Sequence, residues 1–392
     1  MPSPDPSRPG LFIRDPYHYS DATLLVPPAL VQALECFDGQ QSSLDLRSEL
    51  VRITGEIQVG EIEKHLFDSL SEAGFLENEK YRELKAKREA EFATESRRQA
   101  IFAGAAYPGE QIKLSNLLTA RIGECDGSPA TIAIAAPHAS PESAWNVYRS
   151  AYQALPCREQ GCEKTFVVLG TSHYGAPDRF GLTRKQFVTP LGEAVTDLRS
   201  VDELQNAASE AIRMEDYCHA VEHSIEFQVV FLQHVYGPNV RILPILCGPF
   251  VKSIYQGGLP EDNDNVARFF DALGNIAARE RDKLFWVLGI DMTHIGVRYG
   301  DTLRATANMG EMLAIESRDR QRIERINAGD IHGYWSLVQD GHDDLKWCGS
   351  SPLYTFLKVM PKLRGDLLDY AQWQIDPHSV VSFGALRFQE KD

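Results

Sequence analysis

Three histidines of this 392-residue chain follow apolar runs in the same way. Thr131–Ala136 (TIAIAA) leads into Pro137-His138. Thr165–Gly170 (TFVVLG) leads through Thr171 and Ser172 to His173. Leu284–Ile290 (LFWVLGI) leads into Asp291-Met292-Thr293-His294. Continuous apolar runs of this length are the composition of strands buried on both faces, as in a parallel sheet. If the strands are parallel neighbours, His138, His173 and His294 converge on one rim. Open α/β sheets carry their chemistry at the carboxyl ends of their strands. One loop histidine commonly does no more than satisfy a hydrogen bond. Three at equivalent positions point to a metal site or an acid–base site.

Two further stretches carry chemistry. Asp216–Gln228 (DYCHAVEHSIEFQ) contains His219-Ala220-Val221-Glu222-His223, the H-x-x-E-H pattern of inverted zinc proteases. In that reading His219 and His223 lie one helical turn apart and bind zinc, with Glu222 as general base. The alternatives are a capped helix start with its polar side chains in solvent, or His223 as an acid or base beside the histidine rim. Glu226, three residues on, is expected to orient the His223 ring or raise its pKa. Cys348, in Trp347-Cys348-Gly349-Ser350-Ser351-Pro352, precedes an apolar helix over Leu353–Val359. A helix dipole there stabilises a thiolate, so Cys348 is a candidate metal ligand or nucleophile. The plain alternative is a small buried residue at a turn. Cys157 and Cys162 are read as incidental.

The elements that must position these groups share the same grammar. Arg241–Cys247 (RILPILC) reads as a fourth strand, placed at an edge or a bulge because of Pro244. Ser140-Pro141-Glu142 reads as a helix start, with Ala144, Val147, Ala151 and Leu155 as its buried stripe. His138 therefore sits at a strand-to-helix turn with free backbone N–H groups. Thr189–Gly192 (TPLG) is a turn between strands. Gly257–Asp264 is an acidic surface loop.

Upstream, residues 1–10 read as a disordered arm and Leu11–Pro16 as a short strand. Helices are expected after Pro27-Pro28, with Leu30, Leu34 and Phe37 as a stripe, over Ser43–Ile53, and over Gly60–Ala73. This pattern predicts a small winged-helix-like domain over residues 1–95. Glu77–Arg98 is dense in mixed charge and reads as an exposed helical linker. After the break at Tyr107-Pro108-Gly109, βα alternation runs to the end, so residues 105–392 form one α/β domain. The expected fold is a central, mostly parallel sheet flanked by helices.

A net charge of −15 argues against nucleic-acid binding through a basic face. Seven scattered cysteines without a C-x-x-C pair suit a reducing cytoplasm. No segment reaches the roughly 18 apolar residues of a membrane span, and Met1–Gly10 lacks the apolar stretch of a signal peptide. The expectation is a cytoplasmic protein with neither a nucleic-acid nor a membrane partner.

Taken together, the motifs resemble the MEMO family, whose bacterial members include protein B of the AmmeMemoRadiSam system. The stretches that carry the resemblance are Ala105–Gly109, Ala136–Ala139 (APHA), Leu169–His173 (LGTSH), Thr189–Gly192, Glu222–Glu226 (EHSIE), Ile242–Gly248, Asp291–Gly296 and Cys348-Gly349. Ser140 and Pro141 stand where that family usually has a glycine and an aromatic residue. The resemblance implies a fold like the class III extradiol dioxygenases and a metal held by His138, His173 and Cys348. It also implies His223 as the acid–base histidine, with Asp291 and His294 lining the same cleft. A radical SAM protein and an AMMECR-type domain protein are the partners it suggests. The N-terminal part is similar to PqqD-like domains. Two imidazoles and one anionic ligand leave coordination positions open, as in the iron(II) facial triad. Iron(II) is the expected metal, and a thiolate makes copper or zinc admissible.

Two functions fit. One is a non-haem iron oxidoreductase, dioxygenase-like, acting on a small aromatic, phenolic or peptide-derived substrate. The other is a non-catalytic adaptor that holds a metal or a peptide in the same cleft. An acid–base group beside the metal favours the first.

Overall fold

The computed structural model describes residues 7–125, 127–157 and 164–391. Most of the expected N-terminal arm, and Cys162, lie outside the described residues. The chain divides into two compact units, Met1–Thr94 and Glu95–Asp392.

The smaller unit pairs Leu11–Arg14 with Thr23–Val26 as an antiparallel ribbon. Helices Ser43–Thr54 and Gly60–Glu72 come next. The first begins with a capping box: Ser42 accepts from Asp45 N, and the Asp45 side chain accepts from Ser42 N. Ala33, Leu46, Leu50, Val59, Leu66 and Leu70 form the core of this unit. The expected helix after Pro27-Pro28 is instead two 3₁₀ turns, Pro28–Leu30 and Gln32–Phe37. Glu79–Thr94 is the charged helix foreseen for the linker. Its expected end at Arg98 is wrong: Arg97–Arg98 is a strand of the larger unit, and Arg98 is 1% exposed.

The larger unit is built on six principal strands: β1 (Thr131–Ala136), β2 (Thr165–Thr171), β3 (Arg241–Cys247), β4 (Leu284–Gly289), β5 (Leu363–Asp376) and β6 (Ser379–Glu390). Across the sheet they run β6-β1-β4-β2-β3, and β5 pairs with β6 as a long hairpin. Strands β1, β4, β2 and β3 are parallel neighbours, and β6 is antiparallel to β1. Their residues alternate between two cores, because successive side chains of a strand point to opposite faces. Val167, Leu169, Trp286 and Leu288 belong to one core; Phe166, Val168, Phe285 and Val287 belong to the other. Helices cover both faces, and helix α3 (Ser350–Val359) packs into the first core. Helices α1 (Pro141–Gln153) and α2 (Glu226–Tyr236) pack into the second.

Strand β3 is not an edge. It pairs with β2 along its whole length, and on its other side with Gly192–Thr196 and then Phe180–Leu182. Pro244 falls in the gap between those two partners, after Ile242 and before Ile245. No N–H is called for at that point, which is how proline is admitted to an interior strand.

Candidate functional site

The strand register sets the site. Ala136, Gly289 and Gly170 lie side by side at the carboxyl ends of β1, β4 and β2. His138, Asp291 and His173 come within three residues of that row. His294 arrives less directly, as the first residue of a short strand, His294–Gly296, that pairs with β6.

The segment before α2 lies across these strand ends. Helix Cys218–Val221 stops at Glu222, whose backbone is extended (φ −84°, ψ 139°), and α2 begins only at Glu226. Residues 222–225 can press on the sheet because glycines lie beneath them. A Cβ on Gly289 would come 2.1 Å from Ser224 O, and one on Gly170 would come 2.6 Å from Ser224 Oγ. From this segment His223 reaches the rim. Its ring centroid is 5.1 Å from that of His138 and 5.1 Å from that of His173, while the His138 and His173 centroids are 5.0 Å apart. Ligand nitrogens of all three histidines lie within 4.8 Å of one another. From the opposite face, the turn before α3 delivers Cys348, with Sγ 3.2 Å from His138 Nε2. Gly349 is required there, since a Cβ would come 2.6 Å from Ile290 Cβ. Cys348 is one residue outside the helix N-cap, and α3 begins at Ser350, earlier than the expected Leu353.

Hydrogen bonds fix the direction of each imidazole. His138 Nδ1 donates to Gly289 O at 2.9 Å, which leaves Nε2 facing Cys348. His173 Nδ1 donates to Glu222 Oε1 at 2.9 Å. Glu222 also accepts from the backbone N–H of His173 and of His223, at 2.9 and 3.0 Å, and His223 Nδ1 lies 3.1 Å from it. Asp291 Oδ1 accepts from His138 N at 2.9 Å and Ala139 N at 3.3 Å. Asp291 thus occupies two N–H groups of the strand-to-helix turn at His138, and those two are not open to a ligand. Ser140 makes no side-chain cap on α1 either. His294 Nδ1 donates to Met292 O and Lys346 O, at 2.9 and 3.1 Å.

The charges are strongly coupled. Burial opposes protonation of His138, but Cys348 and Asp291 outweigh it and lift the imidazole from 6.5 to about 9. Burial would raise the Cys348 thiol, yet His138 and His294 hold it well below its usual value. Burial also disfavours the charged forms of His173 and Glu222, but their mutual attraction wins and moves both towards ionisation. His223 is lowered by burial, which the Glu222 carboxylate offsets only in part.

The zinc-protease reading fails, and so does one expectation. His219 does not face the site. It is 1% exposed, its Nε2 lies 3.0 Å from Gly181 O, and burial lowers it to about 4. The break at Glu222 removes the one-turn spacing that the zinc-protease pattern needs. Glu226 does not orient His223 either. Its carboxylate pairs with buried Arg98 and accepts from Ile101 N, Phe102 N and the Tyr107 hydroxyl. Glu222 performs the task foreseen for Glu226. Its place directly before His223 in the EHS stretch is the signal that could have found it. Aromatic rings flank the imidazoles: Phe102 is 5.6 Å from His223, Tyr174 6.3 Å from His173 and Tyr299 5.1 Å from His294.

The fold and site define an α/β protein with a histidine–cysteine cluster at the carboxyl ends of the parallel strands of a mixed sheet. The family model for the Memo-like protein matches residues 98–387, and the chain belongs to that family. It is 26% identical to a MEMO1 family protein of Aquifex aeolicus, an alignment covering 96% of this chain and 95% of the relative. A MEMO1 family protein of Desulfurococcus amylolyticus is 26% identical over 74% of this chain and 99% of its own length. One from Ignicoccus hospitalis is 31% identical over 37% of this chain and 52% of its own length.

Proposed function

We propose that the cleft holds one transition metal through His138, His173 and Cys348, and that the protein is a non-haem oxidoreductase. Iron(II) is the first choice, with copper and zinc as alternatives. The observation that carries this reading is the pinning of both imidazoles through Nδ1, His138 to Gly289 O and His173 to Glu222. Metal-binding histidines are oriented in this way, with the free Nε2 turned to the ion. The donor chemistry fits. A thiol whose pKa is held low lies 3.2 Å from His138 Nε2, the ligand nitrogens of His138 and His173 lie within 4.8 Å of each other, and a metal ion can replace the protons such groups share. Iron(II) held there would supply open coordination positions and one-electron chemistry with dioxygen.

The chain's own groups supply the rest. Glu222 holds His173 and His223 in register through one carboxylate. His223, with its pKa lowered, is neutral near pH 7 and able to accept a proton from a bound substrate. Phe102, Tyr174 and Tyr299 offer ring edges and faces to a small aromatic or phenolic substrate.

The test is elemental analysis of purified wild-type protein and of single alanine variants, then oxygen uptake by the anaerobically iron-loaded protein over a panel of catechols. Stoichiometric metal that is lost in His138→Ala, His173→Ala and Cys348→Ala supports the site. Metal retained in all three sinks it. Metal binding without oxygen uptake leaves the adaptor reading in place of the enzyme.

A further inference from the structure

Beneath the cysteine side of the cleft lies a buried carboxylate that takes no part in the site itself. Asp319, on helix Glu311–Ala328, is 0% exposed. Its Oδ1 accepts from Thr293 Oγ1 at 2.6 Å and Trp347 Nε1 at 2.7 Å. Its Oδ2 accepts from Ser382 Oγ at 2.6 Å and Tyr370 OH at 2.7 Å. All four donors are neutral. Burying a carboxyl group is costly unless its oxygens are hydrogen-bonded, and here each oxygen has two donors. What the carboxylate supplies is direction, four short bonds converging from four segments.

Two of those donors sit inside the site's own segments. Thr293 lies between Asp291 and His294, and Trp347 immediately precedes Cys348. Trp347 Nε1 also lies 3.2 Å from Thr293 Oγ1, and Thr293 N donates to Ser382 Oγ at 3.0 Å. The two turns are laced together above Asp319. His294 N donates to Leu345 O at 2.9 Å, and Gly349 N donates to Asp291 O at 3.1 Å. The angle between these turns sets where Cys348 Sγ stands relative to His138 Nε2.

We infer that Asp319 is a positioning residue for Cys348. By binding Thr293 and Trp347 at once it fixes the Asp291–His294 turn against the Cys348 turn, and so aims the thiolate at the metal. This inference rests on the metal site proposed above, and the experiment separates the two.

Cobalt(II) alone is the probe, titrated into full-length, metal-stripped protein and read as the thiolate-to-cobalt charge-transfer band. Wild type should show the band and Cys348→Ser should lose it. If wild type shows none, the metal reading fails and takes this inference with it. With the band present, Asp319→Asn should bind cobalt about 10-fold more weakly, the low end of the range for a direct partner of a ligand, because Asp319 reaches Cys348 only through Trp347 and Thr293, and should shift the band. Thr293→Val and Thr293→Ser keep the test decisive if Asp319→Asn does not fold. Valine should weaken binding and alter the band, and serine, which keeps the hydroxyl, should restore both. A folded Asp319→Asn with the wild-type affinity and band overturns the positioning role while leaving the metal site standing. Equal impairment in Thr293→Val and Thr293→Ser overturns it too.

Discussion

At the scale of single residues, Glu222 accounts for more of the site's geometry than any proposed ligand does, since it holds the backbone and ring of both His173 and His223. Glu222→Gln keeps the volume but removes the charge. Metal affinity, read by competition with a chromophoric chelator, is expected to fall roughly 10- to 100-fold. His223→Ala should behave differently. It should keep its metal and lose about 10²- to 10⁴-fold of any oxygen uptake the wild type shows, the usual cost of removing a positioned acid–base group. Loss of metal instead would make His223 a ligand, which its closeness to His138 and His173 would permit. His219 tests the electrostatics away from the site. Its folded pKa is depressed from 6.5 to about 4, so the unfolded chain binds a proton that the native one refuses. Its stability contribution is therefore full above 6.5 and lost as pH falls towards 4. The full effect is on the order of 3 kcal/mol, from roughly 1.4 kcal/mol per unit. Urea midpoints at pH 7.5 and 4.5 should differ less in His219→Gln than in wild type. Equal differences would mean that His219 does not titrate in this way.

At the scale of elements, the site depends on how closely a loop can lie on a sheet. Residues 222–225 cross the ends of β2 and β4 over Gly170 and Gly289, and there is no room for a methyl group at either. Gly289→Ala must push Ser224 away, because the contact is with backbone oxygen and cannot be relieved by a side-chain rotation. Overpacking of this kind costs about 1–3 kcal/mol. The displaced segment carries Glu222 and His223, so metal affinity should fall together with the urea midpoint. A variant with a lower midpoint and unchanged metal affinity would show that the segment is not held by this contact.

At the scale of the whole molecule, the place where the smaller unit can be removed is set by one arginine. Arg98 donates to His219 O and Glu222 O at 2.8 Å and pairs with Glu226. A fragment that begins at Glu95 retains this pair. It should stay soluble and bind metal as the full chain does, the expectation from two compact units. A fragment that begins at Gly104 lacks Arg98 and leaves Glu226 buried without its cation. Removing one partner of a buried pair costs about 3–5 kcal/mol. Thermal unfolding of the two fragments should place the second well below the first. Aggregation of the Glu95 fragment would mean that the two units share stability.

The sequence by itself determined the four parallel strands and the polar residues at their ends, whereas the closing hairpin β5–β6 stands where βα alternation was expected to continue. Unbroken apolar runs have one stable home, the middle of a covered parallel sheet, and His138, His173 and Asp291 are bound to the ends of such runs by covalent spacing alone. The order of the motifs likewise identified the family. Spacing could not supply the partner of each polar group. Glu222 and Glu226 are both acids flanking the same histidine, and three residues on a helix suggested Glu226. The helix breaks at Glu222, because the segment must lie flat on Gly170 and Gly289, and that break turns Glu222 to the imidazoles and Glu226 to Arg98. His219 was lost from the site for the same reason. Pro244 suggested an edge or a bulge because local rules penalise its missing N–H, but only the tertiary pairing shows a gap between two partner strands where that N–H has no acceptor to miss. Asp319 gave no local sign at all, since its role comes from four donors brought together by the fold from positions 26 to 63 residues away.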